Sequence, residues 1–386
     1  METDNKQNFD DIRPFYDSEV PTAINYLVND FYFRRAVEPL IKPITWEMFS
    51  GAMLACKSVY DFQRTIIHPF MKQLIAKTTS ELTGIGFDDF KNGTGHVFIS
   101  NHRDIVLDAA FLNILFFDKE INTSEIAIGD NLLIYPWITE LVRLNKSFLV
   151  KRGVSVREML DTSRHLSEYI YDTVANRNQS IWIAQREGRA KDSDDKTQTS
   201  LLKMLTLYNS SKPAEALKSL NIVPLSITYE FDPCDYLKAK EYQLKRDNPE
   251  HKKSQADDIE NMRTGIMGYK GKVFFKFGNP INDELSQIDV NTNRTQTLEI
   301  ATDAIDTEIY KNYVFFPINY IAYDLMENSN SFADKYTEED KVFFDNYIDK
   351  QIAKIDIPNK DYDFLRDKLI GMYGNTVKNF VSVQTT

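Results

Sequence analysis

The stretch HVFISNHRDIVLDAAFLNILFF, residues 96–117, decides how the chain is read. Its first five residues, HVFIS (96–100), are β-branched and aromatic, the pattern of a buried strand. Asn101, His102, Arg103 and Asp104 follow, then Asp108, then AAFLNILFF (109–117), an apolar run of helix length. An apolar strand that passes through a polar turn into a helix is the repeating unit of an α/β sheet. Such a turn presents its side chains at the strand's end. The alternation continues along the chain. Strands are predicted at EIAIG (125–129), SFLVKR (147–152), SIWIAQ (180–185), NIVPLSITYE (221–230) and KVFFKFG (272–278), with helices at 105–117, 131–144, 154–176, 199–208 and 258–266. The fold class expected is α/β, a central mixed sheet flanked by helices.

Outside that region the texture changes. Residues 1–20 read as a polar tail, and 21–83 as a helical region with apolar residues at mixed three- and four-residue steps, among them Ile24, Leu27, Phe31, Leu74. Aromatic and basic side chains alternate there in FYFRR (31–35). The sheet domain spans 84–290. Residues 291–386 read as a helical, polar-rich C-terminal extension, and KAKEYQLKRDNPEHKKSQADD (238–258) as an exposed insertion or solvated helix.

Composition excludes several functions. The 386 residues are 42% hydrophobic, enough for one large core or two modest ones. The balance of 46 Lys+Arg against 57 Asp+Glu leaves a net charge of -11, which opposes binding to nucleic acid. Cys56 and Cys234 have no CxxC spacing and the five histidines no HExxH pattern, so no metal site is expected. The cysteines read as reduced thiols of a cytoplasmic protein. The first residues, METDNKQNFDDIRPF, are unlike a secretory signal, and no run approaches the roughly 20 apolar residues of a membrane span.

The triplet His102-Arg103-Asp104 invites comparison with the catalytic loop of a protein kinase. That loop needs a lysine two residues after the aspartate and an asparagine five after it. Val106 and Ala109 stand there instead. No glycine-rich GxGxxG precedes the triplet and no DFG follows it, so a kinase is excluded.

The segment from Asn101 to Asp108 resembles the His-four-residues-Asp signature of the glycerolipid acyltransferases, the superfamily of glycerol-3-phosphate, lysophosphatidate and dihydroxyacetone-phosphate acyltransferases. Three further blocks resemble that family in the same order. SFLVKR closes on Arg152, REGRAKDSDDKTQTSLLKM (186–204) resembles the Glu-Gly-x-Arg-Ser block with its lysine and helix, and Ile222-Val223-Pro224-Leu225 resembles a proline within a buried strand. The spread-out third block resembles the glycerol-3-phosphate and dihydroxyacetone-phosphate branch more than the lysophosphatidate type. The resemblance covers about residues 84–285. It implies an O-acyltransferase that uses acyl-CoA or acyl-carrier protein and a phosphorylated glycerol or lysophospholipid acceptor, with no further cofactor. It also implies a cytoplasmic chain, peripheral on the cytoplasmic face of the membrane, touching lipid through amphipathic helices such as 24–41 or 46–75.

The chemistry explains the residue types. Acyl transfer to an alcohol needs a base for the hydroxyl proton, and His102 at a strand end is placed to act. A carboxylate beside it holds the tautomer and stabilises the imidazolium. The signature wants four intervening residues, yet Asp108 follows His102 by five, and on a regular helix the extra residue turns the acid by about 100°. Asp108, followed directly by an apolar helix, is preferred. Asp104 is the alternative orienting acid, and is equally suited to cap a helix. The resemblance assigns the acceptor to Arg152, Glu187, Gly188, Arg189 and Lys191, with Arg103 and Lys196 behind them. Arg189 follows the glycine directly, one place earlier than the family pattern has it. Leu112, Ile114, Leu115, Phe116, Leu132, Leu133, Tyr135, Pro136 and Trp137 are candidates for an acyl groove, most of them equally suited to a core. A non-catalytic lipid or acyl-carrier binding protein on the same fold is the competing function.

Overall fold

Seven strands form one sheet in the order β1-β7-β6-β2-β5-β3-β4. They are β1 Glu81–Ile85, β2 Val97–Ser100, β3 Glu125–Gly129, β4 Ser147–Val150, β5 Ile181–Ala184, β6 Ile222–Tyr229 and β7 Lys272–Phe277. The structure is a computed structural model and describes residues 8–384 apart from 88, 89, 91 and 92. Strands β2 to β6 run parallel, β7 lies antiparallel to β6, and β1 is parallel to β7, so the sheet is mixed. β1 departs from the sequence-based reading, which ended the helical region at residue 83. It is a half-exposed edge strand with no apolar alternation, and its Gly84 leaves room for the Phe87 ring, which a Cβ would meet at 1.6 Å.

Helices α1 Val20–Asn29, α2 Phe31–Val37, α3 Trp46–Leu54, α4 Val59–Phe62 and α5 His68–Thr78 precede the sheet. Within and after it come α6 Leu107–Asp118, α7 Pro136–Leu144, α8 Val156–Tyr171, α9 Thr199–Leu205, α10 Pro213–Lys218, α11 Asp235–Asp247, α12 Gln255–Met267 and α13 Asn282–Ser286. Four more end the chain, α14 Arg294–Lys311, α15 Pro317–Glu327, α16 Glu338–Ala353 and α17 Tyr362–Gln384.

Alternation along the central strands divides their side chains between two cores. Val97, Ile99, Ile181 and Ile183 meet Leu166 and Ile170 of α8, Leu202 of α9 and Ile305 of α14. Phe98, Trp182, Val223 and Leu225 meet Leu74 of α5 and Phe111 and Leu112 of α6. Leu112, Ile114, Leu115 and Phe116 are therefore core rather than groove. Two smaller clusters lie outside the sheet. One joins α1 to α3 with Leu144 of α7, and the other joins α15 to α17 with Ala239 of α11.

Three regional expectations change. The tail over 1–20 is docked from Phe9 onward. The Leu149 amide donates to Ile12 O at 2.9 Å, Ile12 is buried, and Arg13 pairs with Glu19 at 2.6 Å. The C-terminal extension divides, because α14 belongs to the main core while α15 to α17 pack on α11. The charged stretch over 238–258 is solvated only in part, exposed over 245–250 but not at its start. It holds most of α11 and the start of α12, and Lys238, Ala239, Glu241 and Gln243 are buried. Its charges are tolerated because they are paired, Lys238 with Asp232 and Glu241 with lysines.

Candidate active site

Parallel pairing brings the carboxyl ends of β2 to β6 to one edge of the sheet. The chain crosses β2 on its way from β5 to β6, and a crevice at such a reversal of strand order is where α/β sheets hold ligands. His102 leaves the end of β2 there. Its neighbour Asn101 is fully buried and imitates one more strand residue, donating to Ile227 O at 2.8 Å and accepting from Ile227 N–H at 2.7 Å. The turn is thus tied to β6 before the histidine begins.

The carboxylate beside the imidazole is Asp108, with Nδ1 of His102 2.8 Å from Oδ2. The same oxygen accepts from the backbone N–H of Arg103 at 2.7 Å and of Asp104 at 3.1 Å, and Oδ1 accepts from the Tyr229 hydroxyl at 2.9 Å. The extra residue is absorbed by the turn, which closes around the carboxylate instead of placing it one helical step away. Asp104 takes the capping role. Its Oδ1 accepts from Val106 N–H at 2.9 Å and Leu107 N–H at 2.8 Å, at the start of α6. Burial, and next the charge of Asp108, push the Asp104 carboxyl above its usual range. Helix α12 crosses the turn at Gly265, where a Cβ would lie 2.0 Å from Asp104 Oδ2.

Two other histidines also touch carboxylates, His68 with Asp118 at 2.7 Å and His165 with Asp11 at 3.0 Å. Burial separates them from His102. The Asp118 and Asp11 side chains are 35% and 45% exposed, whereas that of Asp108 is 0% exposed beneath a ring that keeps 13%. The first two pairs are open to solvent, and among the described residues only at His102 does a dry, fully bonded carboxylate stand behind a reachable imidazole. The Trp182 ring meets His102 edge-on at 5.7 Å and fixes its tilt.

The cations divide. Arg103 was expected behind the acceptor site, but its guanidinium is buried and grips Asp195 at 3.1 and 2.5 Å. Burial opposes its charge, yet Asp195 outweighs burial and holds Arg103 above its ordinary value. Its fork is committed to structure. Arg152, at the end of β4, pairs with Glu187 at 2.8 Å, beyond the end of β5. Gly188 turns the chain at φ +68 with open space around it, and Arg189 then donates to Asn261 Oδ1 at 2.9 Å. The second terminal nitrogen of Arg189, Nη1, is buried without a partner. Burial would lower the Arg189 value, but Cys234, Asp232 and Asp104 hold it raised. Lys191 is engaged by Glu241 and Lys196 by Asp194 at 2.9 Å. The edge therefore gathers His102, Asp104, Asp108 and Arg189, with the Arg152–Glu187 pair at neighbouring strand ends.

The family model described as Acyltransferase matches residues 83–228. The matched segment runs from within β1 nearly to the end of β6. Among solved structures, the crystal structure of the 1-acyl-sn-glycerophosphate (LPA) acyltransferase PlsC from Thermotoga maritima is similar at 12% identity and a TM-score of 0.36, over 76% of this chain and 96% of that one. No curated protein sequence matches the chain. Among the described residues no helix is long and apolar enough to cross a membrane.

Several residues of this sheet edge carried no local signal. Tyr229 and Trp182 sit in strands that read as ordinary core, and Asp195 sits in a run of charges. Asp195 joins three segments, accepting from Arg103 and, at 2.6 Å, from Tyr313 beyond α14, while its carbonyl accepts from Tyr310 at 2.8 Å. Asn101 alone was visible, as the residue ahead of His102.

Proposed function

We propose that the domain moves a fatty acyl group from an acyl thioester, acyl-CoA or acyl-carrier protein, to a hydroxyl of a glycerol-phosphate or lysophospholipid acceptor. His102 is the general base and Asp108 orients it. The observation that carries this reading is the buried Asp108 carboxylate, bonded to the imidazole, two backbone N–H groups and Tyr229 at the sheet edge. With Nδ1 donating to Asp108, the lone pair of Nε2 is the one left to take a proton.

The steps balance. Nε2 takes the acceptor hydroxyl proton as the oxygen adds to the thioester carbonyl. The tetrahedral intermediate then collapses, the C–S bond breaks, and the imidazolium returns the proton to the leaving sulfur. An ester and a free thiol result. Asp108 stabilises the imidazolium between the two steps without taking its proton, and base catalysis of this kind supplies about 10²- to 10⁴-fold. Arg189, with Nη1 unpartnered beside the turn, and Arg152, if drawn from Glu187, suit an acceptor phosphate. The competing reading, a non-catalytic lipid binder, drew its support from the irregular spacing. The contact of Asp108 with the ring favours the catalytic reading over it.

Lipid contact falls to the N-terminal helices. Phe31 is 68% and Met48 66% exposed, Tyr32 and Leu54 stand out beside them in sequence, and Arg34 and Arg35 flank the aromatics. Tyr32 stacks on Tyr135 at 6.1 Å, and Tyr135 lies in the loop beyond β3, so this apolar surface runs toward the sheet edge that holds His102. Leu132, Leu133, Pro136 and Trp137 lie in or beside that loop and suit the acyl chain's entrance.

Thiol release tests the reaction. Protein incubated with acyl-CoA or acyl-carrier protein and a panel of acceptors should liberate thiol, and His102→Ala should remove nearly all of it. Undiminished turnover in that variant rejects the mechanism.

A further inference from the structure

We propose that the three ammonium groups of Lys191, Lys245 and Lys253, gathered on Glu241, form a phosphate-binding site for the nucleotide end of an acyl-CoA donor. The proposal rests on the reading of the domain as a thioester-dependent acyltransferase. Glu241 is buried on α11. Lys245 lies 3.1 Å from its Oε1 and Lys253 2.9 Å from its Oε2, while Lys191 reaches Oε1 from the loop beyond β5. Among the described residues no second carboxylate pairs with any of the three. Three cations on one anion leave a local excess of two positive charges, in a chain whose net charge is -11.

The carboxylate does not titrate away in the working range. Burial alone would raise it, but Lys191 and Lys253 outweigh burial and bring Glu241 down to about 2. The lysines also repel one another. Lys191 is lowered first by burial and further by Lys245 and Lys253, with Glu241 opposing. A phosphate group would relieve that repulsion, and Lys245, half-exposed, is open to solvent.

Reach selects the donor over the acceptor. Tyr229, whose hydroxyl touches Asp108, ends β6, and α11 starts six residues later at Asp235. Glu241 lies six residues further, about 9 Å along the helix axis. The phosphate of a glycerol-based acceptor is only a few bonds from the hydroxyl that reacts at His102, so it belongs with Arg189. A coenzyme A thioester carries its phosphates at the far end of a long pantetheine arm, which suits a cationic cluster displaced along α11.

Adenosine 3′,5′-bisphosphate, titrated into the full chain by calorimetry, is the probe. Saturable binding is expected, weakened about tenfold or more in the double variant Lys245→Glu/Lys253→Glu and by added salt. The neutral double variant Lys245→Gln/Lys253→Gln should shift binding the same way by less, which separates lost charge from lost fold. His102→Ala should bind the probe as wild type does, so failure of the chemistry and failure of this site are distinguishable. In turnover, the charge-reversal variant should raise KM for acyl-CoA about tenfold and leave the acceptor KM in place. Absent binding, or binding unchanged by both double variants, overturns the proposal. So does a KM effect confined to acyl-carrier protein, which would make the cluster a contact for an acidic protein.

Discussion

At His102 everything turns on which carboxylate the ring touches. Asp108 bonds Nδ1, while Asp104 is spent on the amides of Val106 and Leu107. Asp108→Asn should therefore lower kcat by about 10²- to 10⁴-fold with little change in acceptor KM. Asp104→Asn should keep most activity and lose stability by about 1 kcal/mol, the usual worth of a cap. Steady-state kinetics and thermal melts on the two variants check this, and activity lost in the second alone would reassign the orienting acid. Tyr229→Phe removes one hydrogen bond to Asp108 and should cost activity less than Asp108→Asn does. The spacing left both acids open because a turn's path over five residues depends on where its amides find acceptors. Here they find them on Asp108, inside the turn.

Among elements, the turn after β2, the loop after β5 and the end of α14 meet at Asp195. Asp195→Ala would leave Arg103 buried without a partner and should destabilise the fold by about 3–5 kcal/mol in urea titrations. The junction of α11 with α16 and α17 behaves differently. Asp235, buried there, accepts from Tyr347 at 2.6 Å and Tyr373 at 2.8 Å. Burial, against the two hydroxyls and with Asp232 adding, raises its carboxyl from 3.8 to about 7. Between those values the folded chain keeps a proton that the unfolded chain has released. Its contribution to stability is whole below about pH 4 and is lost as the pH rises through about 7, by up to about 1.4 kcal/mol per unit. Asp306 is raised to about 7 as well, first by burial, so the difference between chains is the diagnostic quantity. Unfolding free energies at pH 5 and 8 should fall less in Asp235→Asn than in wild type, and parallel losses would refute the assignment.

Over the whole molecule, the exposed aromatics of α2 and the loop beyond β3 share one side through the Tyr32–Tyr135 stack, and α3 exposes Met48 and Leu54. Phe31→Ser/Met48→Ser should weaken co-sedimentation with anionic phospholipid vesicles about a hundredfold or more, since each buried apolar side chain contributes about 1.5–3 kcal/mol. Activity on a short-chain, water-soluble acceptor should survive the same changes. Equal losses on both substrates would place these residues in the fold rather than on the membrane.

The sequence by itself determined the α/β class, six of the seven strands, the order of the four blocks and the histidine at the end of β2, because each is written in the period and composition of contiguous residues. Tertiary structure alone decided that Asp108 faces the ring, that Arg103 is locked by Asp195, that the charged stretch over 238–258 buries Lys238, Ala239, Glu241 and Gln243, and that α14 leaves the C-terminal extension for the sheet. Those outcomes depend on contacts that no contiguous pattern records, such as that of Arg103 with Asp195 across more than ninety residues of chain. Burial leaves a charged group no choice but to pair, and only the packed molecule determines with whom.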